Sequence, residues 1–229
     1  MQRGILGLVA VAFAAAPAVM VAQGPKAATY ITDEEIKTVN QQPGIDRQIR
    51  VVDIGNENFA VGVVHRGATG GGARAGGAAP AGGGQAARGG AAAGGGRAGG
   101  AAAQGEPCGE TVSTPPAGAT PGGIAHDSQT EGYLIISGGG TLVTGGRIVN
   151  GRKSGPDAEV TKVLNGPSCS GMIAGADVVK KVVKTGDIVI IPAGVPHGWT
   201  DITDHVDYLS FRPSDHVLTA GYVHPSIKK

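Results

Sequence analysis

Two separate segments of the chain contain residue types that bind metal ions. The first segment carries His126 and Glu131, and the second ends in His197 after a turn rich in proline and glycine. Imidazole and carboxylate groups both bind transition metals, with the histidine neutral and the glutamate ionised. Three such ligands would leave coordination positions open for a substrate. The sequence therefore predicts that His126, Glu131 and His197 bind a divalent metal ion.

The spacing of the first two ligands requires a change of chain direction. His126 and Glu131 are separated by an odd number of positions, so a single unbroken strand would place them on opposite faces. The residues between them, 127–130, are Asp-Ser-Gln-Thr, which favour a turn. We therefore expect His126 to end one strand and Glu131 to begin the next, with both side chains facing inward.

The elements that position these residues are predicted to be short β-strands. Runs rich in β-branched residues are bounded by glycine or proline, at 50–54, 59–65, 132–137, 141–144, 147–150, 177–183, 188–191 and 205–211. The triple glycine 138–140 is interpreted as the turn of a hairpin. The capping-box pattern from Thr32 to Glu35 predicts one short helix that continues to about Asn40. Many strands without long intervening helices indicate an all-β sandwich or barrel rather than a parallel α/β sheet.

The two segments resemble the two signature motifs of the cupin superfamily. In the first motif the residues that match in type and spacing are Gly118, His126, Glu131 and Gly138. The family's first histidine would fall at Ile124, where it is absent. In the second motif the matching residues are Gly186, Pro192, Gly194 and His197, and Asp201 stands where asparagine is frequent. The resemblance covers about 58–213, apart from a low-complexity insertion.

The resemblance implies a small jelly-roll barrel with a metal ion in its mouth. The ligands carried over are His126, Glu131 and His197, and the metal would be Fe, Mn, Zn or Ni. The missing histidine at Ile124 leaves open that no metal binds and that the three residues are hydrogen-bonded polar groups of the barrel interior. His65 is either a replacement fourth ligand or a surface histidine. The resemblance also implies that the chain could form a homodimer.

The N-terminus has the features of a secretory signal peptide over 1–22. Arg3 precedes an apolar run that ends at Ala22 among small residues suited to cleavage. The alternative is an uncleaved membrane anchor, because the run is near the lower length limit of a spanning helix. A cleaved signal predicts an exported protein, periplasmic or extracellular, with no stable membrane span after cleavage.

The segment 67–105 is almost entirely glycine and alanine. It has no large apolar side chain and cannot bury enough surface to offset its ordering entropy, so we predict a disordered, flexible insertion. The remaining chain divides into an N-terminal segment with the short helix, 23–48, and a cupin barrel, 49–229, which the insertion interrupts. This barrel is expected to be a single domain.

Charge and cysteine content limit the partners and the compartment. The formal net charge is +1 and no basic cluster occurs, so nucleic acid is not an expected partner. The two cysteines, Cys108 and Cys169, would form a disulfide in an exported chain, and two free buried thiols are the alternative. The expected partner is a small-molecule ligand.

Two functions agree with these features. The first is a metal-dependent enzyme of oxygenase, isomerase or lyase type that acts on a small molecule. The second is a non-catalytic cupin module that binds a small ligand, with the metal absent or structural. The sequence identifies no separate catalytic residue, so it leaves the choice open.

Overall fold

A computed structural model describes residues 27–69 and 105–227. It contains one helix, α1 (Asp33–Asn40), and a short π-helix (Val160–Leu164). The strands are β1 (Asp46–Asp53), β2 (Asn58–Gly67), β3 (Pro107–Cys108), β4 (Thr120–His126), β5 (Glu131–Thr144), β6 (Arg147–Lys153), β7 (Ser168–Ala174), β8 (Val179–Lys184), β9 (Ile188–Ile191), β10 (His197–Thr200) and β11 (His205–Ser214). The predicted signal peptide and most of the predicted insertion lie outside the described residues.

The strands form one antiparallel sheet that is folded over on itself through β5. One half has the order β1-β2-β11-β5-β9, and the first residues of β5 belong to it. The last residues of β5 lie in the other half, between β8 and β10, and that half continues through β4, β7, β6 and β3. The prediction of an all-β, barrel-like fold is therefore confirmed.

The predicted helix is confirmed together with its cap. The backbone N–H of Glu35 donates to Thr32 Oγ1 at 3.2 Å, and the Thr32 backbone N–H donates to Glu35 Oε2 at 3.3 Å. These two bonds satisfy donors that the first turn of a helix otherwise leaves without partners. Helix α1 covers the outer face of β1, β2 and β11 through a cluster that includes Val39, Ile49 and Val63.

The hairpin predicted at Gly138–Gly140 is wrong, because β5 runs without interruption from Glu131 to Thr144. The glycines are required by close approach of other strands. A Cβ at Gly138 would lie 2.0 Å from the His205 carbonyl oxygen, and one at Gly139 would lie 2.5 Å from the Val183 carbonyl oxygen. This segment is where β5 passes from one half of the sheet to the other.

Strand β11 is buried on its barrel face and partly buried on its outer face, and this decides which side chains reach the barrel interior. Tyr208 and Arg212 alternate with Leu209 and Phe211 along the strand. Leu209 and Phe211 pack outward against the cluster under α1. The barrel side of the strand therefore carries tyrosine, serine and arginine instead of the most apolar residues.

A disulfide joins β3 to β7 through Cys108 and Cys169, whose Cα atoms are 6.0 Å apart. The expected disulfide is therefore confirmed, and the alternative of two free thiols is wrong. Within 27–69 and 105–227, no helix is long and apolar enough to cross a membrane.

Candidate metal centre

Strand ends bring the three predicted ligands together. His126 is the last residue of β4, Glu131 is the first of β5 and His197 is the first of β10. The predicted break between the two strands is present at residues 127–130, but β4 and the end of β5 both pair antiparallel with β10, so these residues carry the chain from one half of the sheet to the other and do not form a hairpin. All three side chains are buried, although each is polar.

The ligand atoms of the cluster face one another. His197 Nε2 lies 3.0 Å from Glu131 Oε2, and His126 Nε2 lies 3.4 Å from the same oxygen. One ligand atom from each residue falls within 4.8 Å of the other two. The structure thus places two imidazole nitrogens around one carboxylate oxygen.

Backbone carbonyls fix the orientation of both imidazole rings. His126 Nδ1 lies 2.8 Å from the Asn165 carbonyl oxygen, and His197 Nδ1 lies 3.0 Å from the Val195 carbonyl oxygen. Because a carbonyl only accepts, each Nδ1 must carry the hydrogen and donate it. In a neutral ring the Nε2 lone pair then points at the Glu131 carboxylate. Negative charge and lone pairs repel, so this arrangement is stabilised by a cation, either a proton on Nε2 or a metal ion.

The carboxylate of Glu131 is held by three further side chains. Tyr133 donates its hydroxyl to Oε2 at 2.7 Å, while Ser210 and Arg212 donate to Oε1 at 2.8 Å and 2.5 Å. Burial disfavours the charged carboxylate, but Arg212 and the hydrogen bonds from His126 and His197 outweigh it and lower the pKa of Glu131 well below its usual value. Glu131 is therefore ionised at neutral pH and has Oε2 turned toward the histidines.

Arg212 links this carboxylate to a second acid at the start of β1. Its Nη2 donates to Asp46 Oδ2 at 2.5 Å, and its Nη1 donates to Gln48 Oε1 at 3.4 Å. Burial alone would lower the pKa of Arg212, but the charges of Asp46 and Glu131 raise it above the usual value. Sequence reasoning missed Arg212. The signal was its even spacing from Tyr208 along β11, but Leu209 and Phe211 on the alternate positions form the more apolar set.

Tyr133 completes the inner wall of the site. Its ring centroid lies 4.3 Å from that of Tyr208 and 6.2 Å from that of His197. Burial, followed by the charge of Glu131, raises the pKa of Tyr133 well above its usual value, so its hydroxyl remains a donor. Tyr133 is therefore both buried and bonded to the cluster.

A cavity of about 1330 Å³ opens onto the cluster and is also lined by Ile124, Trp199 and Tyr208. Ile124 lies two residues before His126 in β4, so both side chains point to the same side of the strand. It lies opposite His197 in the pairing of β4 with β10. The position of the absent family histidine is therefore at the site and presents an apolar side chain there.

His65 lies away from this cluster. Its imidazole is exposed, and its Nδ1 lies 2.6 Å from Asp207 Oδ1. Its ring stacks on that of His205 at a centroid distance of 6.0 Å. Of the two alternatives for His65, the structure favours the surface histidine over the fourth ligand.

No protein-family model matches the chain, and no curated protein matches it. Among solved structures, it is similar to an oxalate oxidase in complex with glycolate, at 12% identity and a TM-score of 0.33. That match covers 77% of this chain and 55% of the other, so the chain spans about half the length of that oxalate oxidase. It is also similar to peruvianin-I, a cysteine peptidase from Thevetia peruviana latex, at 11% identity and a TM-score of 0.32, over 87% of this chain and 86% of the other.

The strands form an antiparallel barrel, and both motif segments meet at one buried cluster that is a candidate His–Glu–His metal site. The all-β barrel that the motif resemblance implies is confirmed.

Proposed function

We propose that this protein binds one divalent transition-metal ion through His126, Glu131 and His197 and acts as a metal-dependent enzyme on a small molecule. The observation that carries the proposal is the convergence of two imidazole nitrogens on Glu131 Oε2, at 3.0 and 3.4 Å. Both nitrogens and the oxygen are buried, and each ring is oriented by its own backbone acceptor. Such outer contacts are typical of metal-binding histidines.

The spacing of these atoms fits a transition metal. With metal–ligand bonds of about 2.1 Å, neighbouring ligand atoms lie about 3.0 Å apart at a right angle and about 3.4 Å apart at the tetrahedral angle. The two nitrogen–oxygen distances from Glu131 Oε2 agree with these values, as they also do with hydrogen bonds from protonated imidazoles. The mixed nitrogen and oxygen donors suit Fe, Mn, Zn or Ni better than Mg or Ca, which prefer oxygen ligands.

The surrounding residues prepare the site for a ligand. Arg212 and Ser210 occupy Glu131 Oε1 and so keep Oε2 directed at the histidines. Tyr133 donates to Oε2, and the Tyr133–Tyr208 pair shields this side of the cluster from water. A bound metal would supply Lewis acidity or, if it is iron, reactivity toward O₂. Oxygenase, isomerase and lyase reactions all remain within this proposal.

The competing function is a non-catalytic module that binds a small ligand without a metal or with a structural one. Two observations favour it. Ile124 presents an apolar group where a fourth ligand would stand, and Arg212 already neutralises the Glu131 charge. The cavity would then hold the ligand through its polar lining alone.

Elemental analysis of the purified full-length protein, together with three variants, distinguishes the two functions. We expect about one transition-metal ion per chain in the wild type, and its loss in His126→Ala and His197→Ala. His65→Ala is the matched control, because it removes an imidazole outside the cluster and should keep the metal. If the wild type binds no metal after incubation with Mn, Fe, Ni and Zn in turn, the enzyme proposal is wrong and the metal-free module stands.

We also propose that the protein is exported. The Cys108–Cys169 disulfide supports this, because disulfides persist mainly in oxidising compartments. N-terminal sequencing of the mature protein from fractionated cells tests it. A mature terminus near Ala22 is the expected result, whereas an uncut chain in the reducing cytosol would contradict the proposal.

A homodimer is proposed from the edge strand β9. Its side chains Ile188 and Ile190 are 72% and 74% exposed, and within the described residues β9 pairs only with β5. An exposed apolar edge of this kind favours association with another strand. Light scattering coupled to gel filtration should give the dimer mass for the wild type and the monomer mass for Ile188→Lys. A monomeric wild type would refute this assembly.

A further inference from the structure

Among the described residues, three arginines line the cavity that opens onto the candidate metal centre: Arg47, Arg66 and Arg212. In two of them both terminal nitrogens donate to protein acceptors, although Arg47 Nε has no partner within the described residues. Arg47 donates through both terminal nitrogens to the C-terminal end of α1, at 2.7 to 2.8 Å. Arg212 donates to Glu131, Asp46 and Gln48, as described above. These two guanidinium groups are therefore structural and have few donors left for a ligand.

Arg66 differs from both. It lies near the end of β2, opposite Val206 of β11, and shares the barrel face of Val64. Its Nε donates to the Tyr208 hydroxyl at 3.2 Å. Within the described parts of the chain, its two terminal nitrogens make no hydrogen bond and its guanidinium forms no ion pair with a carboxylate. The two terminal nitrogens of Arg66 are therefore available to a ligand in the cavity that this residue lines.

A second donor without a partner lies beside the same tyrosine. The indole of Trp199 stacks on Tyr208 at a centroid distance of 5.5 Å and is only 8% exposed. Within 27–69 and 105–227 its Nε1–H has no acceptor. Buried polar groups are nearly always satisfied, so this donor beside a cavity is available to an acceptor that the described residues do not supply.

From this geometry we infer that Arg66 anchors a carboxylate group of the ligand, which the protein holds against the Tyr208–Trp199 wall. A guanidinium binds a planar carboxylate through two parallel hydrogen bonds. Of the arginines that line the cavity in 27–69 and 105–227, Arg66 alone is free of acidic and carbonyl partners, so the site matches a single negative charge rather than a doubly charged phosphate. The aromatic wall accommodates the apolar body of the ligand next to its charged group.

The inference deepens the proposed function, because it gives the class of ligand as a small organic acid. Three successive side-chain contacts connect Arg66 to the candidate metal centre. Arg66 bonds to Tyr208, Tyr208 packs on Tyr133, and Tyr133 bonds to Glu131. A ligand anchored at Arg66 therefore extends along the tyrosine wall toward the cluster. Within the described residues, Arg66 makes no hydrogen bond or ion pair with the three candidate metal ligands, so its role can be tested separately from theirs.

The chain contains its own reporter, because Trp199 is its only tryptophan. Its fluorescence is followed while full-length protein, dialysed against a chelator, is titrated at constant ionic strength with propionate, propionamide or inorganic phosphate. We expect propionate to change the emission in a saturable manner and propionamide to have no effect. Arg66→Gln should weaken propionate binding by at least about tenfold, the usual effect of losing a charge-assisted hydrogen bond.

Arg147→Gln is the matched control, because Arg147 is exposed, pairs with Glu110 and is not among the residues that line the cavity. It should bind propionate like the wild type. Arg66→Lys keeps the charge without the two-nitrogen fork and should bind with intermediate strength, which gives a second test if Arg66→Gln does not fold. Propionate binding that is unchanged in Arg66→Gln and Arg66→Lys, or propionamide or phosphate binding as tightly as propionate, would overturn the inference.

Metal content measured on the same samples separates the two proposals. A wild type that holds metal but binds propionate no better than propionamide refutes the role of Arg66 and leaves the metal centre intact. A wild type without metal that still binds propionate through Arg66 refutes the metal-dependent enzyme and retains the carboxylate site.

Discussion

Replacing Arg212 by methionine tests how the buried charges around Glu131 are balanced. The guanidinium donates to Glu131 Oε1 and to Asp46 Oδ2, both at 2.5 Å, and Arg212 is almost completely buried. Methionine fills a similar volume but leaves two acids without their shared cation. Breaking a buried ion pair from one side costs about 3–5 kcal/mol, so we expect the free energy of unfolding to fall by about that amount near neutral pH.

The assay is urea denaturation in the presence of a chelator, with Arg147→Met as the matched control. Arg147 also pairs with a carboxylate, Glu110, but both side chains are about half exposed. An exposed pair contributes about 0–1 kcal/mol, so the control should unfold almost like the wild type. The double variant Arg212→Met/Glu131→Gln should recover part of the loss, because it removes one of the uncompensated charges.

The structure also predicts how the free energy of unfolding changes with pH. The pKa of Glu131 in the folded wild type lies well below its ordinary value of 4.5, so its ionisation stabilises the fold above pH 4.5. That contribution is lost as the pH falls through the lower, folded-state pKa. Without Arg212, burial raises the pKa of Glu131, and the two histidines and the hydrogen bonds from Tyr133 and Ser210 oppose this increase. The stability difference between wild type and Arg212→Met should therefore be largest above pH 4.5 and narrow below it. A variant as stable as the wild type, or a pH-independent difference, would refute this account.

Three further predictions concern the site and its supports. Ile124→His should increase the affinity for the metal at least about tenfold, as measured in competition with a chelator, because it adds an imidazole on the same strand face as His126. The loss of an outer-shell partner alone lowers metal affinity roughly 10–100-fold, so a direct ligand should have at least as large an effect. Equal affinities would show that position 124 does not face the metal. Cys108→Ser/Cys169→Ser should lower the free energy of unfolding by about 4 kcal/mol, since the bridge closes a sequence separation of 61 residues, and unfolding under non-reducing conditions measures it. Thr32→Ala should cost about 1 kcal/mol through loss of the helix cap, whereas no change would show that α1 does not depend on it.

Local signals predicted much of this fold. The capping box at Thr32 defines α1 because its hydrogen bonds lie within one turn of the chain. The strand runs at 59–65, 147–150, 188–191 and 205–211 all fall inside observed strands. Strands β4, β7 and β10 carry fewer signals in the sequence, because glycine and polar residues interrupt them and their formation depends on pairing with distant partners.

The sequence also determined which three residues meet at the candidate metal centre, because His126, Glu131 and His197 stand at strand ends beside turn-forming residues. Only the tertiary structure decided what surrounds them. Arg66 and Arg212 reach the barrel interior because α1 covers the opposite face of β2 and β11 and takes the most apolar residues there. Alternation along a strand separates two faces but does not say which one lines the cavity, and that assignment depends on packing between elements far apart in sequence.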